Sequence, residues 1–347
     1  MTTVLTGDRP TGPLHLGHYV GSIKNRLMLQ NTLEHIDQAR NLYLIVADTQ
    51  ALTDNFDNAD KINSNIIEVV KDYLAVGIDP KVWKIFLQSE IKELFELTIY
   101  LMNLVKLNNL SRIPTLKEEI LQKNYEKSIP MGFLNYPISQ AADLLLFDAD
   151  SAPVGIDQVP IIEFVNDLAR DYNRIYNVDR FKTIKADLSD SPKLMGLDGK
   201  SKASKSLSNA IFLKDDEAEL KKKINQMYTD PNHLKISDPG EVKGNVVFMY
   251  LNAFYEDKSH LKSLEDQYTS GGLGDGELKK LLFSVLNELL SPIRQKRNAI
   301  THNQIIEALE YGQSQAKEVA RSRIEIIRED IGYKNLYKLN QAQQICV

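Results

Sequence analysis

The sequence predicts an α/β protein with a doubly wound parallel sheet, followed by a smaller all-α domain. In the first 208 residues, short apolar runs of strand length alternate with patterns of helical period. This alternation is typical of a parallel sheet covered by helices on both faces. After residue 206 the strand-like runs end, and helical patterns rich in Lys and Glu continue to about residue 332. A chain of 347 residues is long enough for two such domains.

Three apolar runs are predicted to be buried strands of a Rossmann-like sheet. They cover residues 3–5, 42–47 and 84–88, and residues 22–30 between the first two have helical spacing. Ligands of such sheets bind at the carboxyl ends of the strands. Asp48 directly follows the second run and is therefore expected at this edge, either as a ligand-binding or as a structural residue.

Apolar residues recur with helical spacing over residues 91–110. The predicted helix either packs inside the subunit or forms a contact between subunits. Further helices are predicted within residues 215–228, 278–290 and 305–327, separated by glycine-rich loops at 238–240 and 271–276. We therefore divide the chain into a Rossmann-like catalytic domain (1–208, with a helical insert at about 90–135), a helical domain (209–332) and a C-terminal tail (333–347).

Composition limits the possible environments and partners. The formal net charge of -5 gives no overall attraction to nucleic acid, so a nucleic-acid partner would need local basic patches. The only cysteine, Cys346, allows neither a disulfide framework nor a cysteine zinc site, which fits a reducing compartment. The N-terminus has neither a basic segment nor a long apolar run, and no stretch is apolar enough for a membrane span. We expect a cytoplasmic protein without a membrane partner.

The first chemical motif lies just after the first predicted strand. Residues 11–21 read Thr-Gly-Pro-Leu-His-Leu-Gly-His-Tyr-Val-Gly, with imidazoles at His15 and His18 and a glycine, Gly17, between them. This pattern suits a strand-to-helix turn that receives an ATP triphosphate, because a helix start offers free N–H groups and glycine permits close approach.

A second motif, Lys-Ala-Ser-Lys-Ser at residues 202–206, follows nearly two hundred residues later. Its lysines, Lys202 and Lys205, would supply two mobile positive charges for the phosphates. The neighbouring segment 196–201 superficially suggests a P-loop, but it has two residues between its glycines where that motif needs four.

Together the two motifs resemble the His-x-Gly-His and Lys-Met-Ser-Lys-Ser signatures of class I aminoacyl-tRNA synthetases. Residues 136–143 (Tyr-Pro-Ile-Ser-Gln-Ala-Ala-Asp) and 153–158 (Pro-Val-Gly-Ile-Asp-Gln) lie between them and resemble the tryptophanyl-tRNA synthetases. Ala203 replaces the usual methionine, which affects loop packing more than chemistry. The resemblance implies activation of L-tryptophan by ATP, with Mg²⁺ carried by ATP and no dedicated metal site, and transfer to tRNA(Trp). It also implies a homodimer built by the insert, and no DNA partner.

The resemblance further implies an amino-acid pocket around Asp143. A buried carboxylate can read the indole N–H, which is a donor only. Gln50, Gln140 and Ala152 stand where histidine, methionine and valine are usual, which indicates a more polar pocket. The other substrate-binding residues implied in the same way are Leu5, Gly7, Tyr136, Val154 and Gln158.

For the nucleotide, the resemblance implies the two histidines and two lysines as catalytic groups. Gly155 and Asp157 match a Gly-Glu-Asp-Gln segment that contacts ribose and the substrate ammonium group, with Ile156 in place of the glutamate. The remaining ATP-binding residues implied are Thr11, Gly12, Gly17, Lys117, Ser204 and Ser206.

Contacts to tRNA are not assigned to individual residues by the sequence. Two basic groups are candidates, and a solvated basic face paired with glutamates is an equal alternative. The candidates are Arg294, Lys296, Arg297, Arg321, Arg323 and Arg328.

Three other functions share some of these motifs. Tyrosyl-tRNA synthetase has the same fold and signatures, but residues 11–21 and 153–158 are closer to the tryptophan enzymes. A small adenylyltransferase also uses His-x-Gly-His, but it usually lacks a helical domain after a lysine loop. A regulatory protein that has lost catalysis would be expected to have damaged signatures, whereas both histidines and both lysines are present here.

Overall fold

A five-stranded parallel sheet forms the centre of the computed structural model, which describes residues 2–33, 40–53, 55–188, 194–205 and 208–333. The strands are β1 (Thr2–Asp8), β2 (Arg40–Val46), β3 (Trp83–Leu87), β4 (Ser151–Val154) and β5 (Lys185–Leu188). Their spatial order is β3-β2-β1-β4-β5. The chain winds outward from β1 in both directions, which creates a crevice at the carboxyl ends of β1 and β4. This order confirms the predicted α/β class.

Helices fill the connections and the C-terminal region. A π-helical turn at Tyr19–Ile23 and 3₁₀ turns at Gln88–Glu90 and Ile156–Gln158 accompany them. The α-helices are α1 (Leu16–His18), α2 (Lys24–Leu33), α3 (Asp48–Ala51), α4 (Ala59–Val76), α5 (Lys92–Met102), α6 (Leu107–Leu110), α7 (Pro114–Gln122), α8 (Met131–Leu146), α9 (Val159–Tyr176), α10 (Glu217–Asn225), α11 (Val246–Phe254), α12 (Lys258–Ser270), α13 (Asp275–Ala299) and α14 (His302–Asp330).

The prediction of continuous helix over residues 91–110 is wrong in one respect. Helix α5 ends at Met102, and the chain restarts as α6 at Leu107. The N–H groups of Leu104 and Val105 donate to the carbonyls of Leu101 and Met102 at 3.0 and 3.3 Å. In these turns each N–H bonds to the carbonyl three residues earlier, whereas a continuing α-helix would bond to the carbonyl four residues earlier.

Two hydrophobic cores cover the two faces of the sheet. Because side chains alternate along a strand, Leu42 and Leu44 join one core and Tyr43 and Ile45 join the other. The first core continues into buried residues of α11, α12 and α13, and the second contains α5, α8 and α9. In the described part of the chain, no helix is both long enough and apolar enough to cross a membrane.

The last helix, α14, packs along the edge strand β3. A Cβ atom on Gly312 would lie 2.0 Å from the carbonyl oxygen of Ile85, so only glycine permits this approach. The Oε1 atom of Gln313 accepts the N–H of Leu87 at 3.1 Å, which satisfies a donor at the sheet edge. The final helix of the predicted second domain therefore packs directly on the sheet of the first. Of the predicted tail, only Tyr333 lies among the described residues.

Candidate active site

The segment with the two histidines forms the turn between β1 and α1. His15 precedes α1, and its Nδ1 atom accepts the N–H of Gly17 at 3.1 Å. The N–H of His15 in turn donates to Nδ1 of His18 at 3.3 Å. Since Nδ1 is an acceptor in both rings, each neutral imidazole carries its proton on Nε2. The turn therefore presents two oriented N–H donors of the kind that phosphate oxygens accept.

Both imidazoles are neutral at physiological pH. Burial, assisted by the charge of Lys205, lowers the pKa of His15 to about 3. Burial and its neighbour His15 hold the pKa of His18 well below its usual range. A Cβ on Gly17 would lie 2.8 Å from Cε1 of His15, so this glycine makes room for the imidazole. From the sequence, Gly17 was explained by close approach of the nucleotide. In the structure, the space is needed by the imidazole of His15.

A largely buried acid, Asp8, fixes the end of β1 next to the turn. Arg26 of α2 places Nη1 2.7 Å from Oδ2 of Asp8, and the hydroxyl of Tyr73 donates to the same oxygen at 2.7 Å. Burial opposes ionisation of Asp8, but Arg26 and these hydrogen bonds hold its pKa well below the usual range. The sequence interpretation missed this group, because its members come from three separate elements.

The lysine loop lies against the segment that precedes the histidines. The Nζ atom of Lys205 donates to the carbonyls of Gly12 at 2.8 Å and Arg9 at 3.3 Å. Both acceptors are neutral, and burial lowers the pKa of Lys205 to about 8, which leaves it mainly protonated at neutral pH. The Nζ atom of Lys202 lies 3.7 Å from Oδ2 of Asp157. The structure thus brings the two predicted signatures together.

Asn209 organises the lysine loop. Its Oδ1 accepts the N–H of Ser204 at 2.9 Å, and its Nδ2 donates to Oγ of Ser201 at 3.0 Å and to the carbonyl of Lys202 at 3.2 Å. Ala203 lies beside Gly17, 3.9 Å from an idealised Cβ there, so the short side chain fits against the turn with the histidines. Asn209 was not predicted, and Ser206 lies outside the described residues.

Asp143 is buried in α8 and held by two glutamine amides. The Nε2 of Gln50 lies 2.7 Å from Oδ2 of Asp143, and the Nε2 of Gln88 lies 2.8 Å from Oδ1 and 2.9 Å from Oδ2. Burial raises the pKa of Asp143 to about 7, although these hydrogen bonds favour ionisation. Gln88 was missed because it was counted as the last residue of the predicted strand 84–88, whereas β3 ends at Leu87 and Gln88 lies at the same sheet edge as Asp48. Asp48 itself accepts the N–H of Ser89 at 2.9 Å, which ties the ends of β2 and β3 together.

Tyr136 and Gln140 share the face of α8 that carries Asp143, since they lie seven and three residues before it. The hydroxyl of Tyr136 is buried and lies close to the carboxylate of Glu119. Burial and the nearby carboxylate of Glu119 raise the pKa of Tyr136. The guanidinium of Arg9 lies 3.9 Å from Glu119. The backbone carbonyl of Arg9 also accepts a hydrogen bond from Lys205. Arg9 therefore connects the surroundings of Tyr136 to the lysine loop.

The remaining predicted residues divide between the crevice and the surface. Leu5 and Ala152 are buried in the neighbouring strands β1 and β4, whereas Lys117 is exposed on α7. The hydroxyl of Thr115 donates to the backbone carbonyl of Asp157 at 2.7 Å and anchors this residue. A Cβ on Gly7 would lie 2.2 Å from the carbonyl oxygen of Ile45, so glycine is required there. A Cβ on Gly12 or Gly155 would meet only side chains, Lys205 at 3.2 Å and Asp157 at 2.8 Å. Partly buried residues near the crevice are Thr11, Val154 and Gln158.

Arg297 does not lie on the surface, so the interpretation of it as a solvated residue is wrong. It is 9% exposed, and its guanidinium contacts Oδ1 of Asp72 at 2.8 Å and Oε2 of Glu68 at 2.7 Å. Arg294 donates to the carbonyl of Asp215 at 3.3 Å. These arginines connect α13 to the interior of the protein.

The other basic candidates differ in their availability. The Nη2 of Arg323 lies 3.6 Å from Oδ1 of Asp148, and Arg328 pairs with Glu96 at 2.5 and 2.6 Å. Side chains engaged in this way must break their contacts before they bind a phosphate. The two exposed candidates are Lys296 and Arg321.

Comparison with known proteins agrees with this arrangement. The family described as class I tRNA synthetases (W and Y) matches residues 1–291. The chain belongs to this family. The tryptophan–tRNA ligase of Clostridium longisporum is 48% identical over 95% of this chain and 96% of its own length, and that of Streptococcus mutans is 46% identical over 95% and 97%.

Solved structures of tryptophanyl-tRNA synthetases have the same fold. The Campylobacter jejuni enzyme, complexed with ADP and tryptophan, superposes with a TM-score of 0.79 at 30% identity, covering 95% of this chain and all of that one. The Mycoplasma pneumoniae enzyme also gives a TM-score of 0.79, at 27% identity, over 96% of this chain and 98% of its own. The family membership accounts for the two signatures lying side by side at one sheet edge.

Proposed function

We propose that the protein activates L-tryptophan with ATP to tryptophanyl-adenylate and transfers the tryptophanyl group to tRNA(Trp). The observation that carries the proposal is the junction at Arg9. Its carbonyl accepts from Lys205 of the phosphate-binding loop, and its guanidinium faces Glu119 beside Tyr136. Tyr136 stands on the same face of α8 as Asp143. We infer that these groups form one site, with cationic and N–H groups at one end and a buried carboxylate at the other.

In the first step, a carboxylate oxygen of tryptophan attacks the α-phosphorus of ATP. The bond from that phosphorus to the oxygen bridging the α- and β-phosphates breaks, and pyrophosphate leaves with the electron pair. No protein nucleophile is needed, because the substrate carboxylate is already anionic at neutral pH. His15 and His18 donate through Nε2 to the phosphates, and Lys202 and Lys205 neutralise the charge that develops on pyrophosphate.

In the second step, a hydroxyl of the terminal tRNA ribose attacks the carbonyl carbon of the adenylate, and AMP leaves. The helical region, residues 209–332, is the proposed binding surface for tRNA. Its exposed basic residues Lys296 and Arg321 are better placed for phosphate contacts than the buried Arg297.

Recognition of tryptophan is assigned to Asp143. Its carboxylate already accepts three contacts from Gln50 and Gln88, with only one of them on Oδ1. A carboxylate oxygen has about two acceptor positions, so Oδ1 keeps one for the indole N–H. Leu5 and Ala152 contribute apolar surface in the adjoining strands.

A homodimer in the cytoplasm, using Mg²⁺ delivered with ATP, is the proposed working form. Apolar side chains are exposed on the insert, among them Phe95 (43%), Ile99 (56%) and Met102 (37%) on α5. Such a cluster is typical of an interface between subunits.

The proposed activity is tested by ATP–pyrophosphate exchange with each of the twenty amino acids added separately. We expect exchange with L-tryptophan and little with L-tyrosine. Exchange that depends on tyrosine would instead favour the other branch of the family. Exchange with none of the amino acids would contradict the proposed activity.

A further inference from the structure

A buried ion pair joins α13 to α4 beneath the ATP-binding signatures. Asp72 of α4 is fully buried, and Nε of Arg297 lies 2.8 Å from its Oδ1. The same guanidinium contacts Glu68 through Nη2 at 2.7 Å. Interior charges are tolerated only when they are paired and hydrogen-bonded, so Asp72 and Arg297 depend on each other.

The second oxygen of Asp72 reaches the turn that carries the histidines. Oδ2 accepts the N–H of Leu14 at 2.8 Å, and Leu14 directly precedes His15. The carbonyl of Leu14 accepts the N–H of Leu213 at 2.9 Å. The backbone at this point is therefore held from two sides, by a side chain of α4 and by the segment after the lysine loop.

A second arginine of α13 reaches that same segment. Arg294 lies three residues before Arg297, on the same side of the helix, and donates to the carbonyl of Asp215 at 3.3 Å. The carboxylate of Asp215 accepts the N–H of Phe212 at 2.8 Å, and Phe212 pairs with His15 across an antiparallel bridge. Helix α13 is thus connected to the His15–Phe212 bridge through Asp72 on one side and through Asp215 on the other.

We propose that Asp72 and Arg297 are positioning residues for the ATP-binding turn. They fix the backbone at Leu14 and thereby the imidazole of His15, and Arg297 has no direct part in binding tRNA. This inference rests on the proposed function. A shift of about 1 Å in a group that aligns reactants can lower a rate by about 10²-fold. The pair therefore contributes to adenylate formation without touching either substrate.

The test is single-turnover formation of tryptophanyl-adenylate by Arg297→Met, which keeps the unbranched apolar part of the side chain but leaves Asp72 without its cationic partner. We expect the rate to fall about tenfold or more, while the Kd for tryptophan measured without ATP changes less than about twofold. The double variant Asp72→Asn/Arg297→Met should recover most of the rate. Asparagine can still accept the N–H of Leu14 and carries no charge, and Glu68 keeps its ion pair with Lys214 at 3.0 Å.

Arg180→Met is the matched control. Arg180 forms a two-point ion pair with Asp330 at 2.6 and 2.9 Å, which also joins α14 to the sheet region but does not contact either signature. This variant should unfold at a lower temperature and form adenylate at the wild-type rate well below that temperature. Equal loss of rate in the two variants would show that Arg297 is merely structural and would overturn the proposal.

Two further outcomes distinguish the positioning role from a tRNA-binding role of Arg297 and from failure of the proposed function. An unchanged adenylate rate in Arg297→Met, with a raised KM for tRNA, would show that Arg297 acts in tRNA binding. Wild-type protein in the same assay tests the proposed function, since absence of tryptophanyl-adenylate there would contradict the function itself. A wild-type rate in folded Arg297→Met contradicts the positioning role alone.

Discussion

The side-chain amide of Gln88 contacts both carboxylate oxygens of Asp143, with Nε2 2.8 Å from Oδ1 and 2.9 Å from Oδ2. Its own Oε1 accepts the N–H of Gln50 at 3.2 Å. The carboxylate is thereby fixed in orientation inside the protein. A fixed acceptor selects a ligand donor by direction as well as by chemistry, which is the property that a site for an indole N–H requires.

Tryptophan binding is expected to strengthen as pH rises. Burial raises the pKa of Asp143 to about 7, and an ionised carboxylate accepts the indole N–H more strongly than a protonated one. Binding favours the ionised form, so affinity should increase by up to about tenfold from pH 6 to pH 8. Calorimetric titration with tryptophan in the absence of ATP measures this. Asp143→Asn should remove the component of the pH dependence that belongs to Asp143.

Gln88→Leu provides a second check on the same carboxylate. It removes a hydrogen bond that favours ionisation, so the midpoint of the pH dependence should move upward and binding at pH 7 should weaken. A midpoint that stays in place would mean that another group titrates in the wild-type measurement.

Lys205→Ala is expected to slow adenylate formation by about 10²-fold or more, with little effect on tryptophan binding. Charge accumulates on the leaving pyrophosphate in the transition state, and one preorganised donor is commonly worth about 3 kcal/mol there. Single-turnover kinetics measure the effect. Lys200→Ala, which changes an exposed lysine near the same loop, is the control and should retain the rate. A wild-type rate in Lys205→Ala would remove this lysine from its assigned role.

Ile99→Asp is expected to convert the proposed homodimer to monomers. Ile99 is 56% exposed on α5 in the single chain, and burying a new carboxylate between subunits is unfavourable. Sedimentation at micromolar concentration distinguishes the two states. Leu234→Asp, at an apolar residue that is 85% exposed outside the insert, should leave the dimer intact. A wild-type protein that is monomeric and fully active in aminoacylation would refute the dimer.

Gly312→Ala is expected to lower Tm by roughly 5 °C or more. The added methyl group would lie 2.0 Å from the carbonyl oxygen of Ile85, which forces α14 away from β3. Gly276→Ala is the control, because its Cβ would meet nothing within 4 Å near the start of α13. Thermal unfolding followed by circular dichroism compares the two. Equal Tm values would show that α14 is not seated as closely as described.

Elements with local signals were the ones that the sequence could predict. The apolar runs at residues 42–47 and 84–88 have the composition of buried strands, and β2 and β3 lie there. The histidine and lysine motifs are also local, but nothing in their spacing shows that Lys205 contacts Gly12. That contact depends on the path of nearly two hundred intervening residues.

The misplacement of Arg297 has a different cause. Its charge suggested a surface role, whereas its position continues the buried stripe of Leu286, Leu290 and Ile293 at intervals of three and four. The helical spacing therefore indicated that Arg297 is buried, although its charge suggested an exposed residue. Its partner Asp72 lies 225 residues away in the chain, beyond the reach of any local pattern.

The most direct test of tryptophan recognition compares kcat/KM for tryptophan and for its sulfur isostere, benzothienylalanine, in wild type and in Asp143→Ala. A site built around a substrate hydrogen bond can reject an analogue that lacks the donor by about 10⁴-fold. In ATP–pyrophosphate exchange, wild type should strongly prefer tryptophan. The variant, with its fold verified by circular dichroism, should lose most of its activity with tryptophan and little with the isostere, so that the two substrates converge. An equal fall for both substrates would contradict the assignment of indole recognition to Asp143.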